Sequence, residues 1–168
     1  MEEIVNKVTN SSLEVFDLED FYPDGVRTGI DLSQWLIEGF LLKEKDFRET
    51  LKNHDWSQYK DHYCAIYCSS DAILPTWAPI LVASYLDKYA KKIILGDINK
   101  IDVNLYIEEI LRMDFSKYLD KPVILKGCSR KPVPKEAYIM AITQLQKVAK
   151  SVMFGEACSA VPIFKRTK

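Results

Sequence analysis

The sequence predicts a single α/β domain over residues 1–168, built on a mainly parallel sheet of about four strands with flanking helices. Two observations support this fold class. The chain has 168 residues, of which 48% are hydrophobic, and this is enough to bury one core. From Tyr63 onward, short apolar runs alternate with segments of helical period, as expected when crossover helices join parallel strands. Region 1–60 is predicted to form a β-hairpin and a helix that pack on a parallel βα core, 61–168.

The hairpin is predicted from two strand-like arms, 13–18 and 26–32, on either side of Pro-Asp-Gly at 23–25, residue types that favour a tight turn. A polar helix is expected at about 43–53, with Phe47 and Leu51 on its apolar side. The hairpin is rich in carboxylates but lacks the regular spacing of a cation-binding loop, so we expect a solvated acidic surface. These carboxylates belong to Asp17, Glu19, Asp20, Asp24 and Asp31.

Within the core, four nearly continuous apolar runs have the pattern of strands that are buried on both faces. They lie at 63–68, 93–96, 123–126 and 152–154. Between them, three segments of helical period predict helices at about 76–90, 102–113 and 134–149. We identify no internal repeat.

Charge and hydropathy exclude several classes of partner. The formal net charge is -1, so no summed field would attract nucleic acid or an anionic membrane, and we expect neither as a partner. The longest apolar stretch, 73–86, contains two prolines and is shorter than the roughly 18 residues that a membrane span needs. The acidic N-terminal segment lacks an apolar signal core, which predicts a cytoplasmic protein. No feature indicates an oligomeric state.

A cysteine ends or follows three of the four predicted core strands, namely Cys68, Cys128 and Cys158, and Asp97 follows the fourth. The carboxyl ends of parallel strands lie at one edge of a sheet, where ligand crevices form. We therefore expect these side chains to be gathered there. In a reducing cytosol they would be thiols or metal ligands rather than disulfides. Cys64, in the middle of a strand, is expected to be a core residue.

Soft thiolates combined with an imidazole or a carboxylate are typical ligands of zinc or iron. This reading predicts Cys128 and Cys158 as the principal metal ligands, with Cys68 next. His54 and Asp97 would be the supporting ligands. The spacing matches no recognised zinc knuckle, so the prediction depends on the fold bringing the strand ends together.

Two other readings remain open. A cysteine near a helix N-terminus has a lowered pKa, and Cys128 is followed by Ser129, two basic residues and a predicted helix. This predicts a small-molecule enzyme with Cys128 as its catalytic nucleophile and with Trp77 and Ser129 binding the substrate or cofactor. The third reading is a protein-interaction module in which the acidic hairpin docks a partner and the cysteines are structural.

Several strings of the sequence resemble a bacterial family catalogued as domain of unknown function 2480, and the resemblance covers nearly the whole chain. The matching strings lie at 16–23, 44–48, 53–59, 75–77, 126–128, 132–134, 155–159 and 161–162. Through gene neighbourhood, the resemblance implies an accessory role in iron-sulfur cluster assembly. It thus implies iron-sulfur assembly proteins as partners and favours metal or sulfur handling, but it carries no established catalytic residues.

Overall fold

A computed structural model describes residues 12–127 and 129–167. Seven strands are found there: β1 (Glu14–Asp17), β2 (Arg27–Asp31), β3 (Tyr63–Tyr67), β4 (Lys92–Leu95), β5 (Pro122–Lys126), β6 (Ser151–Phe154) and β7 (Val161–Lys165). The helices of the same residues are α1 (Glu44–Asn53), α2 (Trp77–Leu86), α3 (Lys100–Arg112) and α4 (Lys135–Val148). None of these helices combines the length and the apolar character needed to cross a membrane.

The strands form two sheets. The first has the order β1-β5-β6-β7, with β1, β5 and β6 parallel and β7 antiparallel. The second has the order β2-β3-β4 and is entirely parallel. The predicted α/β class, the parallel-rich four-stranded sheet and the flanking helices are confirmed. The four predicted core strands are all present but are divided between the sheets, β3 and β4 in one and β5 and β6 in the other. β7 was not predicted from the sequence.

The two arms of the predicted hairpin are strands, but they do not pair with each other. β1 pairs with β5, placing Phe16 opposite Leu125, whereas β2 pairs with β3, placing Ile30 opposite Ile66. The reason is burial, since both Phe16 and Ile30 are only 1% exposed and each lies in a different hydrophobic core. An isolated hairpin would leave these apolar side chains in water.

The backbone divides into two compact units. The first unit contains the four-stranded sheet and takes its described residues from 12–23 and 102–167; the second unit is Asp24–Ile101 and contains the three-stranded sheet. In each unit the helices present a stripe of small or apolar residues at helical spacing, and these side chains are fully buried. The stripes are Ala78, Val82 and Leu86 on α2, and Ala137, Ala141 and Leu145 on α4.

The two units contain copies of one sequence pattern, so the expectation of no internal repeat is wrong. When the sequence is aligned with itself without gaps, so that Asp55 is matched with Asp114, identical residues recur along the alignment. They include Asp55/Asp114, Ser57/Ser116, Tyr59/Tyr118, Asp61/Asp120, Ser70/Ser129, Pro75/Pro134, Ala78/Ala137, Ile80/Ile139, Leu86/Leu145, Lys91/Lys150 and Gly96/Gly155. The repeat equates α1 with α3, β3 with β5, α2 with α4 and β4 with β6.

Backbone geometry follows the repeat. Asp61 N–H donates to the Tyr89 carbonyl and Asp120 N–H to the Val148 carbonyl, both at 2.9 Å. These two aspartates also share a left-handed backbone, with φ of 63° and 56°. Such a conformation is uncommon outside glycine, and Asp tolerates it better than most residues.

The first strand of each copy comes from a different place in the chain. β2 directly precedes the other elements of its own copy, and its Asp31 lies opposite Tyr67. β1 holds the equivalent place in the other copy, with Asp17 opposite Lys126. The second copy is therefore completed by a strand from near the N-terminus, and residues 24–99 of the second unit lie between that strand and α3 in sequence.

Candidate functional site

The residues predicted to ligate a metal are divided between the two units. Cys68 and Asp97 follow β3 and β4 in the second unit, whereas Cys158 follows β6 in the first. Cys128 follows β5 and lies outside the described residues. In the part of the chain that the structure describes, no group of three or more His, Cys, Asp and Glu side chains could hold a metal ion. Cys68 and Asp97 therefore belong to the three-stranded sheet, and Cys158 belongs to the four-stranded sheet.

His54 lies in an aromatic cluster of the second unit. Its ring is 4.7 Å from that of Trp56 and 5.3 Å from that of Trp35, and its Nε2 atom is 3.0 Å from the Tyr59 hydroxyl. Burial lowers the pKa of His54, against a smaller opposing effect from the charge of Asp55. These contacts show that His54 packs within this aromatic cluster.

Asp97 begins the connection into α3. Its Oδ1 atom accepts a hydrogen bond from Asn99 N–H at 2.8 Å, and its carbonyl accepts one from Lys100 N–H at 2.9 Å. Together with Gly29, Tyr67 and Ile98, Asp97 also lines a cavity of about 280 Å³. The structure thus assigns Asp97 a turn-forming role at the end of β4.

Cys68 lines a second cavity, of about 300 Å³, at the carboxyl end of β3. Its Sγ atom is 3.3 Å from the Ser70 hydroxyl, which donates to the Gly39 carbonyl at 2.6 Å. The other lining residues are mainly apolar: Leu32, Tyr67, Leu74, Pro75, Thr76, Pro79 and Leu95. The half-buried Cys68 thiol is therefore a polar group in a largely apolar recess.

Trp77, predicted to bind a substrate or cofactor, packs on α1. Its ring centre is 6.0 Å from that of Phe47, in an edge-on arrangement. The guanidinium of Arg48 lies over the same ring at 5.2 Å. These contacts anchor α2 to α1 through aromatic and cation-π interactions.

Glu19 is the residue of the first unit that sequence reasoning most clearly misplaced. It was expected on a solvated surface but is 8% exposed. Its Oε1 atom accepts hydrogen bonds from Ser129 N–H, from the Ser129 hydroxyl at 2.9 Å and from Arg130 N–H at 2.8 Å. These bonds, led by that from Arg130 N–H, lower the pKa of Glu19 to about 2. Ser129, predicted to bind a substrate or cofactor, is thus bound to Glu19.

Two other carboxylates of the predicted hairpin are also structural. Asp17 accepts a hydrogen bond from Glu19 N–H and caps the short 3-10 helix Leu18–Phe21. Asp31 does the same for Leu32–Trp35 through Ser33 N–H, and it also accepts from Ser69 N–H at 3.0 Å. The expectation of a solvated acidic hairpin is therefore wrong for Asp17, Glu19 and Asp31. A usable signal was the Asp-Leu pair that ends both arms, since such an Asp is a typical cap.

Lys126 links three strand ends at the carboxyl edge of the four-stranded sheet. Its Nζ atom is 3.4 Å from Asp17 Oδ2, at the end of β1, and 3.7 Å from Glu156 Oε1, just after β6. The charge of Glu156 is the largest cause of a raised pKa for Lys126. Two residues beyond Glu156, the exposed Cys158 lies in a turn that is closed by a hydrogen bond from Ser159 N–H to the Glu156 carbonyl. Cys158 therefore lies at the same sheet edge as this ion group.

Comparison with known proteins identifies the family alone. No curated protein matches the chain, and no solved structure does. A family model described as "Protein of unknown function (DUF2480)" matches residues 2–166. The match covers nearly the whole sequence, as the resemblance of its short strings predicted. The chain therefore belongs to the DUF2480 family of proteins of unknown function.

Proposed function

We propose that this protein carries metal or sulfur on the thiols of Cys128 and Cys158, as a cytoplasmic accessory to iron-sulfur cluster assembly. The observation that carries this proposal is the pairing of β5 with β6. The two strands are parallel neighbours, with Leu125 opposite Phe154. Cys128 and Cys158 follow these strands within a few residues, so both thiols belong to segments that leave the same edge of one sheet.

Local charge supports thiol chemistry at this edge. Lys126 lies just before residue 128, and Arg130 and Lys131 lie just after it. Neighbouring cations favour the thiolate, which is the form that binds metal or attacks sulfur. Glu19 and Glu156 partly offset these charges, through Arg130 at 3.5 Å and Lys126 at 3.7 Å.

The number of ligands favours a cargo over a permanent metal centre. A structural zinc site takes four protein ligands. The second unit holds His54, Cys68 and Asp97, and each of these has the local contacts described above, so we leave all three out of the proposed site. Two thiols suit a zinc or iron ion whose remaining ligands are supplied by an iron-sulfur assembly protein. For sulfur, one thiolate attacks the outer sulfur of a donor persulfide, which forms a protein persulfide and releases the donor as its thiol.

Anaerobic loading of the full-length chain tests this proposal. The wild type, Cys128→Ser, Cys158→Ser and the control Cys68→Ser would be incubated with ferrous iron or zinc, desalted and assayed by elemental analysis. A parallel incubation with a low-molecular-weight persulfide would be followed by intact-protein mass spectrometry. We expect metal uptake by the wild type and by Cys68→Ser, and its loss in the other two variants. Persulfide uptake should be lost in the variant that lacks the sulfur-carrying thiol and retained by Cys68→Ser. Uptake that persists in a Cys128→Ser/Cys158→Ser double variant, or a wild type that takes up neither cargo, would overturn the proposal.

A second candidate is a small-molecule enzyme that uses a cysteine nucleophile. The cavity of about 300 Å³ favours it, because it exposes the Cys68 thiol to an apolar recess suited to a small ligand. The test compares two alkylating reagents on the wild type, one with an apolar group and one without. Selective acceleration at Cys68 by the apolar reagent, with Cys158 as the internal control, is the expected result. If the apolar reagent accelerates alkylation equally at Cys68 and Cys158, this candidate is contradicted.

A further inference from the structure

We infer that a second copy of this chain binds at the outer edge of β4, through antiparallel pairing of the two β4 strands. β4 is the last strand of the three-stranded sheet. Beside it, between β4 and α2, lies an apolar groove of about 230 Å³. Its lining includes Ile80, Ile93, Ile94 and Leu95.

This edge lacks two of the features that keep strands from associating. Proteins protect exposed edges with short strands, lysines, prolines, bulges or covering elements, and β4 is a four-residue strand that carries Lys92. β7, at the edge of the other sheet, contains Pro162 and pairs with an irregular register at Val152 and Met153. β4 contains neither a proline nor a bulge, and two large apolar side chains flank its edge in water. Ile80 is 63% exposed and Leu95 is 70% exposed.

The internal repeat shows what kind of element fits this place. β6 and α4 of the first unit are the repeat equivalents of β4 and α2. There, β7 pairs antiparallel with β6, and its Phe164, opposite Val152, packs against the hydrophobic core. Val152 corresponds to Ile93. The described residues of the second unit contain no strand equivalent to β7, so an antiparallel strand is the element that its groove and edge would accept.

Charge favours a second copy as the source of that strand. Two-fold pairing centred on Ile94 would place Ile94 of each copy opposite Ile94 of the other, and Ile93 opposite Leu95. Lys91 precedes β4 and Asp97 follows it, and both are exposed. Antiparallel pairing therefore brings the basic start of each β4 to the acidic end of the other, twice per dimer. The same pairing covers Leu95 in both copies and places the two α2 helices, with their exposed Ile80 side chains, on either side of the two-fold axis.

The repeat supplies a matched control for the test. Ile80 and Ile139 hold equivalent positions on α2 and α4 and are similarly exposed, at 63% and 65%. Sedimentation equilibrium of the full-length chain would be compared for the wild type, Ile80→Glu, Leu95→Lys and Ile139→Glu, with circular dichroism to verify folding. We expect a dimer for the wild type and for Ile139→Glu. Ile80→Glu and Leu95→Lys should shift to the monomer mass of 19.4 kDa at the same protein concentration.

Three outcomes would overturn the inference. The first is a wild type that stays monomeric at high micromolar concentration. The second is a dimer that survives both Ile80→Glu and Leu95→Lys, and the third is a dimer that Ile139→Glu weakens equally. If the wild type is monomeric but binds a peptide with the sequence of residues 160–166, the occupant of the β4 edge would be a strand from another protein instead of a second copy.

Discussion

Glu19 accepts hydrogen bonds from both the backbone N–H and the hydroxyl of Ser129. The two residues are distant in sequence, but each follows a strand of the same sheet, β1 and β5 respectively. Oriented backbone N–H groups in a turn form a favourable environment for an anion. In this protein a side chain of the chain itself occupies that environment, so the segment after β5 is fastened to the turn after β1.

These hydrogen bonds make the free energy of unfolding depend on the charge of Glu19. Hydrogen bonding, led by Arg130 N–H, lowers the pKa of the carboxyl from its usual 4.5 to about 2. A lowered carboxyl pKa contributes stability that is fully present above the unfolded-state value and is lost as pH falls through the folded-state value. We therefore expect Glu19→Gln to be less stable than the wild type at neutral pH, with the difference shrinking between pH 4.5 and about 2.

Urea denaturation across this pH range measures that difference, and Asp20→Asn provides the control because Asp20 is the exposed neighbour of Glu19. The asparagine variant should follow the wild type throughout. A Glu19→Gln chain as stable as the wild type at neutral pH would contradict the structural role of this carboxylate.

His54 should make the protein less stable in mild acid. Burial lowers its pKa from the usual 6.5, so the unfolded chain binds the proton more readily than the folded chain. Stability should decline as pH falls below 6.5 towards the folded-state pKa. His54→Phe retains an aromatic ring without a titrating group, and the stability difference between the two proteins should change over that interval. A constant difference between the two unfolding curves would argue against this role.

Among the described cysteines, the rate of alkylation should decrease in the order Cys158, Cys68, Cys64. Cys158 is exposed, Cys68 is half-buried and Cys64 is buried. Desolvation also raises the pKa of Cys64 to about 11, which removes almost all thiolate at neutral pH. Timed alkylation of the native protein, followed by peptide mass spectrometry, measures this order. Labelling of Cys64 as fast as that of Cys158 would contradict the burial of β3.

Leu86 and Leu145 test whether the two units lose structure separately. They hold equivalent positions on α2 and α4, and both are fully buried. Leu→Ala at such a site costs roughly 2–5 kcal/mol, because apolar contact is lost and a cavity is left. In native-state hydrogen exchange, we expect Leu86→Ala to deprotect β2, β3 and β4 most. Leu145→Ala should deprotect β1, β5 and β6 most. The same pattern of deprotection in both variants would show that the units open as one.

Local pattern predicted the core elements closely. The stripe of Phe47 and Leu51 predicted α1, and the apolar runs predicted β3 to β6 to within a few residues. These predictions succeed because the periodicity of apolar residues in a helix or a strand can be recognised within a short stretch of sequence. β7 was missed because its exposed residues and Pro162 do not show the alternation of a strand.

The candidate site was less accessible to such reasoning. The sequence showed where the cysteines lie relative to the predicted strands, but not which strands share a sheet. Glu19 was misplaced because its partners, Ser129 and Arg130, are distant in the chain. No local pattern reports a hydrogen bond between segments separated by a complete unit of the fold.

The sequence by itself determined the α/β class, the position of most helices and strands, and the family. It also contains a duplicated pattern, in which the segment that begins at Asp55 recurs from Asp114, although no repeat was predicted. Only the tertiary structure decided that β1 belongs with β5 and β2 with β3, since pairing depends on which core buries Phe16 and which buries Ile30. Strand propensity is local, whereas the choice of a strand's neighbour depends on the burial of apolar surface over the whole chain.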